Sequence, residues 1–255
     1  MPPTKSAPVA TATSNKIVVT SKQEDFESGI VYEEYAIKKD GVWTTQQLNN
    51  FEGLKSDTVY YVKTISTDLA GNISESDELE IRTAKMTPGL ITFRKDNSTG
   101  ETFNVSEDIQ AEKNYINNNV YFEVAQGENG KTTYNVTDKD GNEVSVNEDI
   151  LKTSTGTYVV TATTTDGTNV IEKTYYIYID KTLPTRTSPT VVATTSKIIV
   201  TNNQTDVDSG IAKVEYAIYN ENQNKWNWQS QNEFTGLKPN KEYRIKNVSY
   251  KHLTL

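Results

Sequence analysis

The sequence predicts an all-β protein made of three tandem β-sandwich modules in an elongated array, with the last module incomplete. Two segments of the chain repeat each other, which is the mark of a modular array. Apolar and polar residues alternate with period two, as in half-buried strands. The composition, with 35% hydrophobic residues and 15 tyrosines, suits thin layered sheets. At 255 residues the chain is also longer than a usual single domain.

The repeat begins with "KIVVTSKQEDFESGIVYEEYAI" at 16–37 and "KIIVTNNQTDVDSGIAKVEYAI" at 197–218, which share 13 of 22 residues. After a two-residue insertion the match continues, for example from Trp43 to Trp226 and from Phe51 to Phe234. A self-match of this length predicts two copies of one module. In chain order, the predicted segments are a linker remnant at 1–7, a module at 8–88, a different module at 89–181, a linker at 182–187 and a module at 188–255.

Both ends of the chain break the repeat. Met1 aligns with Thr182, inside the second linker, and the second copy stops matching after Val248. We therefore expect the third module to lack its last strand and the chain to be a segment of a longer array. The sequence does not predict whether residues 249–255 fold.

Within each copy, short alternating runs are separated by turn signals such as "SGI", "KDG" and "GLK". Ile17 and Val19 in the first copy correspond to Ile198 and Val200 in the second, which predicts one core-facing side for each strand. Gly29 allows the tight turn that feeds the following strand. These patterns predict antiparallel sheets.

The stretches "GLKSDTVY" (53–60) and "GLKPNKEY" (236–243) resemble the Leu-x-Pro-x-x-x-Tyr signature of fibronectin type III modules. The resemblance implies a structural tyrosine corner in each copy, formed by Leu54 with Tyr60 and by Leu237 with Tyr243. "TDLAGN" at 67–72 is typical of the bacterial surface version of this module. The tryptophan that the family carries in an early strand is absent, and this chain has tryptophan near the middle of each copy instead.

The middle region, 89–181, contains the phrase "TGTYVVTATTTDG" and resembles bacterial immunoglobulin-like modules, which alternate with fibronectin-type modules in surface proteins. In its "TYYIYID" run we expect Tyr175, Ile177 and Ile179 to face the core and Tyr176 and Tyr178 to form a solvated ladder. The proline-bearing linkers are expected to act as semi-rigid joints, so that the modules form a monomeric rod within a longer chain.

The charge and composition exclude several classes of partner and chemistry. A net charge of -8 argues against nucleic acid, because phosphate binding needs a basic face. No apolar run is long enough to span a bilayer, and the absence of cysteine excludes thiol catalysis and disulfides. The only histidine is His252, so no histidine triad can form, and we predict neither an enzyme nor a cofactor.

Two local motifs suggest ligands. "DKDGNEVSVNED" (138–149) has acidic residues at alternating positions, but it lacks the glycine and glutamate of a calcium loop, so a hairpin turn is favoured and no metal site is predicted. Trp226 and Trp228 are two residues apart and share one side of a strand. They are the candidate binding residues for a cell-surface glycan or protein, although a packing role is the favoured reading because Trp226 repeats Trp43.

The favoured function is a non-catalytic spacer and adhesion segment of an exported bacterial surface protein, and hence an extracellular or cell-surface location inferred from the family resemblance. One alternative is an accessory region of a secreted carbohydrate-active enzyme, acting as a spacer or binding glycan through Trp226 and Trp228. A weaker alternative is a segment of a phage tail fibre, in which the same kinds of module occur.

Overall fold

The computed structural model describes residues 1–253, and these residues form strands and turns without any helix. The prediction of an all-β fold is therefore confirmed. Among the residues described, no helix is long and apolar enough to cross a membrane. Residues 254–255, the end of the tail whose folding the sequence left open, lie outside the described part, whereas Ser249–Lys251 belong to the last strand.

The strands belong to three parts of the chain. The first repeat contains β1 (Val9–Ala12), β2 (Ile17–Thr20), β3 (Ile30–Lys39), β4 (Val42–Gln46), β5 (Asn50–Phe51), β6 (Val59–Asp68), β7 (Ile73–Glu75) and β8 (Leu79–Arg82). The middle region contains β9 (Leu90–Lys95), β10 (Tyr115–Ile116), β11 (Val120–Ala125), β12 (Lys131–Asp138), β13 (Ile150–Leu151), β14 (Gly156–Thr165) and β15 (Val170–Ile179). The second repeat contains β16 (Thr190–Ala193), β17 (Ile198–Thr201), β18 (Ile211–Asn220), β19 (Lys225–Gln229), β20 (Glu233–Phe234) and β21 (Ile245–Lys251).

The chain divides into two compact units. Unit 1 comprises Met1–Thr92, Val124–Tyr134 and Thr161–Lys173, and unit 2 comprises Phe93–Glu123, Asn135–Val160 and Thr174–Leu255. The division therefore runs across the long strands of the middle region. The module boundaries at 89 and 182 stay a prediction.

Unit 1 contains a sandwich built from the first repeat. One sheet has the order β1-β2-β5, and the other has the order β4-β3-β6-β7, with β8 also pairing with β6. Ile17, Val19 and Phe51 from the first sheet pack against Ile37 and Val62 from the second. All five side chains are buried, so the predicted inward positions of β2 form the core.

Unit 2 contains the equivalent sandwich of the second repeat. Its sheets have the orders β16-β17-β20 and β19-β18-β21. Ile198, Val200 and Phe234 are buried, and Ile218 and Ile245 from the facing sheet are partly buried against them. The two repeats therefore bury the same positions, but the second core is smaller.

The middle region has two further sheets, β10-β15-β14-β12 and β13-β11-β9. In unit 2, the ring of Phe93 lies 5.7 Å from that of Phe122 and 5.2 Å from that of Tyr175, both edge-on. The prediction that Tyr178 is solvated is wrong, because this side chain is only 2% exposed. The short strand β10 runs parallel to β15, and its Tyr115 covers Tyr178 at 5.7 Å between ring centroids.

The repeated "SGI" turn has one construction in both copies. Asp25 accepts backbone hydrogen bonds from Glu27, Ser28 and Gly29 at 2.7–3.1 Å, and Gly29 has a φ of 74°. Asp206 is used in the same way by residues 208–210. The sequence signal predicted the role of the glycine but not that of the aspartate, which satisfies three N–H groups that no strand pairs.

Candidate functional site

The two predicted binding tryptophans lie on the outer face of the sheet β19-β18-β21. Both rings face Lys246 of β21, whose Nζ lies 4.2 Å from the Trp226 ring centroid and 4.9 Å from that of Trp228. Trp228 is 44% exposed, whereas Trp226 is half-buried. Beneath them Ala217 is completely buried. The structure thus brings the two tryptophans together around one lysine.

A second aromatic and cationic pair extends this face. Tyr219 is paired across the strands with Trp226, with ring centroids 5.2 Å apart and planes at 65°. The guanidinium of Arg244 lies 3.7 Å from the Tyr219 ring centroid. We call Tyr219, Trp226, Trp228, Arg244 and Lys246 the aromatic face. Sequence reasoning missed Tyr219 and the two cations because they become neighbours only through strand pairing.

The first repeat carries the same arrangement in reduced form. Lys63 of β6 lies 4.6 Å from the Trp43 ring centroid, and Ala36 beneath is completely buried. Thr45 stands where the second repeat has Trp228. Lys63 also pairs with Glu75 of β7 at 2.6 Å. In both copies a tryptophan and a lysine therefore cover the alanine of the middle strand. Trp228 is an additional aromatic residue that only the second copy has.

This geometry sets what the aromatic face can bind. A sugar ring stacks on an exposed aromatic plane, and here Lys246 occupies the space between the two rings. A ligand must therefore displace the ammonium group or bind it together with the exposed ring of Trp228. The assignment of Trp226 and Trp228 as binding residues stays a prediction.

The predicted tyrosine pairs hold the loops that precede their strands. The Tyr60 hydroxyl accepts a hydrogen bond from the Lys55 backbone N–H at 3.0 Å, and the Tyr243 hydroxyl accepts one from the Lys238 N–H at 2.8 Å. Leu54 is buried, whereas Leu237 is half-buried. In each copy the hydroxyl bonds to the residue immediately after the leucine.

The middle region has a comparable bond that sequence reasoning missed. The Tyr158 hydroxyl donates to the Ser154 carbonyl at 3.1 Å, and the ring is buried. The short spacing between "TST" and this tyrosine in "TSTGTY" is the only sequence signal for it.

A polar contact inside unit 1, which we call the Asn169 contact, ties the turn at 166–169 to the first repeat. The Asn169 amide donates to the Leu54 carbonyl at 3.1 Å, and its oxygen accepts from the Ser56 N–H at 3.2 Å. The Asn15 amide donates to the Asp166 carbonyl at 2.9 Å. Backbone groups of two loops thus obtain partners from two asparagine side chains.

Asp166 is held ionised at the Asn169 contact. Burial raises its pKa, but hydrogen bonds from Ser14 and Asn169 outweigh burial and lower the pKa to about 2. Its carboxylate accepts from the Asn169 amide at 2.9 Å and from the Asn169 backbone N–H at 2.7 Å. The carboxylate therefore orients the asparagine that bridges the two loops.

A second polar contact lies inside unit 2, and we call it the Asp180 contact. Asp180 is completely buried and accepts from the Ser209 hydroxyl at 2.5 Å. Lys251 lies 3.5 Å from its carboxylate and donates to the carbonyls of Asp180 and Thr182 at 2.7 and 2.8 Å. Burial raises the pKa of Asp180, but Ser209, Thr182 and Lys251 together lower it.

The motif considered as a calcium loop forms a turn closed by its own groups. Asp138 accepts from the backbone N–H groups of Asp140 and Asn142, both at 2.9 Å, and from the Asn142 amide at 3.0 Å. Within residues 1–253 no group of three or more potential ligands is placed to hold a metal ion. His252, the only histidine, follows β21, and its backbone N–H donates to Gly210.

Comparison with solved structures finds matches that include the following proteins of low sequence identity. No protein-family model matches the chain, and no curated protein sequence matches it. The three N-terminal domains of the outer capsid protein Hoc of bacteriophage RB49 are 11% identical, with 87% of this chain and 78% of that one covered and a TM-score of 0.44. The FN1–FN3 domains of chicken CNTN1 are 17% identical, with 98% and 93% covered and a TM-score of 0.28. Domains A168–A170 of titin are 12% identical, with 96% and 94% covered and a TM-score of 0.36.

Proposed function

We propose that this chain is a non-catalytic spacer and adhesion segment of an exported bacterial surface protein. The observation that carries the proposal is that one sandwich is built twice with the same strand register. Tyr35 pairs with Gln46 and Thr64 in the first repeat, and the equivalent Tyr216 pairs with Gln229 and Asn247 in the second. Duplicating a folded module lengthens the chain's reach, which is what a spacer requires.

The Asn169 and Asp180 contacts support the stiffness that a spacer needs. Each ties a turn or linker of the middle region to a repeat through side chains that satisfy backbone groups. Such bonds resist bending because opening the contact would leave these groups without their partners.

The absence of native cysteine makes stiffness directly measurable. Cysteines introduced in pairs carry spin labels, and the distance between the two labels is measured. The pair at Thr45 and Lys131 reports on unit 1, and the pair at Asp140 and Asn222 reports on unit 2. We expect one narrow distance distribution for each pair. Broad distributions for both pairs would contradict the spacer role.

The exported location has its own test. An antibody raised against residues 1–253 is applied to intact and to lysed source cells, with an antibody to a cytosolic protein as control. We expect labelling of intact cells. Labelling that requires lysis would contradict the surface assignment.

The exposure of Trp228 favours a second role, in which the aromatic face contacts a glycan or protein. In that case the chain fits the accessory region of a carbohydrate-active enzyme as well as a surface protein. The test is retention on immobilised glycans by the native chain and by Trp228→Thr, which reproduces Thr45 of the first repeat. Retention lost in Trp228→Thr supports the contact, and unchanged retention removes Trp228 from it.

A further inference from the structure

Within unit 1, the tip of the hairpin between β11 and β12 lies against the segment that follows β8. The Asn129 side-chain amide donates to the Lys85 carbonyl at 2.7 Å, and the Ser14 hydroxyl donates to the Asn129 carbonyl at 3.3 Å. The Glu128 N–H donates to the Thr87 hydroxyl at 2.9 Å, and the Thr87 N–H donates to the Glu128 carbonyl at 3.2 Å. We call this set of hydrogen bonds the Asn129 contact.

Packing requires glycine as the residue after Asn129. A Cβ atom at Gly130 would lie 2.8 Å from Cγ2 of Thr164 and 3.0 Å from Sδ of Met86. Both neighbours are buried, and the Thr164 hydroxyl accepts a hydrogen bond from the Gly89 N–H at 2.8 Å. The threonine therefore cannot turn away without losing that bond. The hairpin tip thus carries an Asn-Gly pair, and the chain has no other such pair.

An asparagine followed by glycine is chemically labile. The backbone nitrogen of the glycine attacks Cγ of the asparagine, a C–N bond closes a succinimide ring, and the side-chain nitrogen leaves as ammonia. Water then opens the ring at one of its two carbonyls and leaves aspartate or isoaspartate. Glycine favours ring closure because it has no Cβ to obstruct the attack and its backbone adopts many conformations. Asn129 is exposed, so water reaches the reacting atoms.

We propose that Asn129 is a site of spontaneous deamidation and that this modification releases the Asn129 contact. The reaction consumes one water molecule, replaces the side-chain amide by a carboxylate and liberates ammonia. Its consequence for unit 1 is a slow, one-way loosening of the hairpin tip from the segment after β8. The proposal goes beyond the spacer role and does not depend on it.

Either product of the reaction disrupts the contact. An aspartate is ionised at neutral pH and has only hydrogen-bond acceptors, so it cannot donate to the Lys85 carbonyl. Its charge faces that carbonyl oxygen instead, which is unfavourable. In isoaspartate the main chain runs through the former side chain and is one atom longer at this position. Gly130 then cannot keep its close packing against Thr164.

The other asparagines that bridge loops in unit 1 are protected by the residues that follow them. Asn169 precedes Val170, whose branched side chain hinders the approach of its backbone nitrogen to the asparagine Cγ. Asn15 precedes Lys16, which also has a Cβ where the labile pair has none. The Asn169 contact is therefore expected to persist while the Asn129 contact is lost.

The modification is tested by storing the full chain at mildly alkaline pH and mapping its peptides by mass spectrometry at intervals. We expect the peptide containing 128–131 to gain the mass difference between an NH₂ and an OH group, with isoaspartate identified by fragmentation. Peptides containing Asn15 and Asn169 are expected to stay unchanged over the same period. The chain unfolded in urea measures the intrinsic reactivity. Conversion of Asn129 in the unfolded chain but not in the folded one would overturn the proposal.

The structural consequence is tested by hydrogen exchange in Asn129→Asp, which carries one of the two products. The Glu128 and Thr87 amides are expected to exchange about tenfold faster than in the native chain, since a hydrogen bond is lost and a charge faces an acceptor. The matched control is Asn142→Asp, at an exposed turn of unit 2, which is expected to leave both amides unchanged. Exchange of Glu128 and Thr87 at the native rate in Asn129→Asp would show that the amide does not hold the contact, and would overturn the proposal.

Discussion

Replacing Asn169 by alanine tests the Asn169 contact directly. The substitution removes the bonds of its side chain to the Leu54 carbonyl and to the Ser56 N–H. A hydrogen bond contributes about 1 kcal/mol net, so the two bonds together stabilise the closed contact by about 2 kcal/mol. This free energy corresponds to a roughly 30-fold change in the equilibrium constant for opening the contact. We expect the contact in unit 1 to open more often by that factor.

Hydrogen exchange is the appropriate assay, because the Ser56 amide is itself a donor in the contact. Its exchange rate in Asn169→Ala is expected to rise roughly 30-fold when exchange follows the opening equilibrium. Core amides of β2 and β6 are expected to keep their protection, since their ladders are not touched. An unchanged rate at Ser56 would refute the idea that Asn169 holds this loop.

The chain offers a matched control in Asn142. Its amide bonds the carboxylate of Asp138 at 3.0 Å, much as the Asn169 amide bonds Asp166 at 2.9 Å, but Asn142 is exposed. Asn142→Ala therefore removes the bond within a turn without removing a bridge to the first repeat. If it raised Ser56 exchange as much as Asn169→Ala, the effect would not belong to the contact.

Three further predictions concern single groups. Tyr60→Phe is expected to lower the free energy of unfolding by about 1 kcal/mol in chemical denaturation, because the partly buried Lys55 N–H loses its acceptor. A smaller loss is expected for Tyr243→Phe, whose bond to the Lys238 N–H is exposed, and equal losses would contradict this order. The pKa of Asp166 is about 2, below its ordinary 3.8, so the stabilisation by its carboxylate is complete above pH 5 and is lost as the pH falls towards 2. The free energy of unfolding is expected to fall by at most about 2 kcal/mol over this range, and this pH dependence is expected to be absent in Asp166→Asn. Lys251→Met is expected to destabilise unit 2 by about 3 kcal/mol in thermal unfolding, because it leaves a buried carboxylate without its cation, and a neutral result would show that the hydroxyl groups suffice.

Much of the fold was predictable because it depends on local patterns. The alternation around Ile17 and Val19 correctly predicted which side of β2 is buried. The same reasoning was wrong for Tyr178, since alternation assumes that one side of a strand faces solvent. There the outer side is covered by Tyr115, which lies more than 60 residues earlier in the chain. No local signal reports such coverage.

The candidate site was only half predictable for a related reason. The spacing of Trp226 and Trp228 correctly placed both rings on one side of a strand. It could not show that Lys246 lies between them, because strand pairing brings that residue in from a distant part of the chain. The Asn169 contact was not predicted, because "DGTN" by itself indicates only a turn. The loop that Asn169 bonds is distant in sequence.

The sequence by itself determined the all-β class, the duplicated sandwich and the inward side of its strands, because these follow from residue periodicity and from repetition along the chain. Only the tertiary structure decided which polar groups bridge loops and which lysine lies between the tryptophans. Those features depend on the register between strands and on burial by residues distant in sequence. Pairing of that kind is set by the free energy of the whole packed arrangement, and no short segment encodes it.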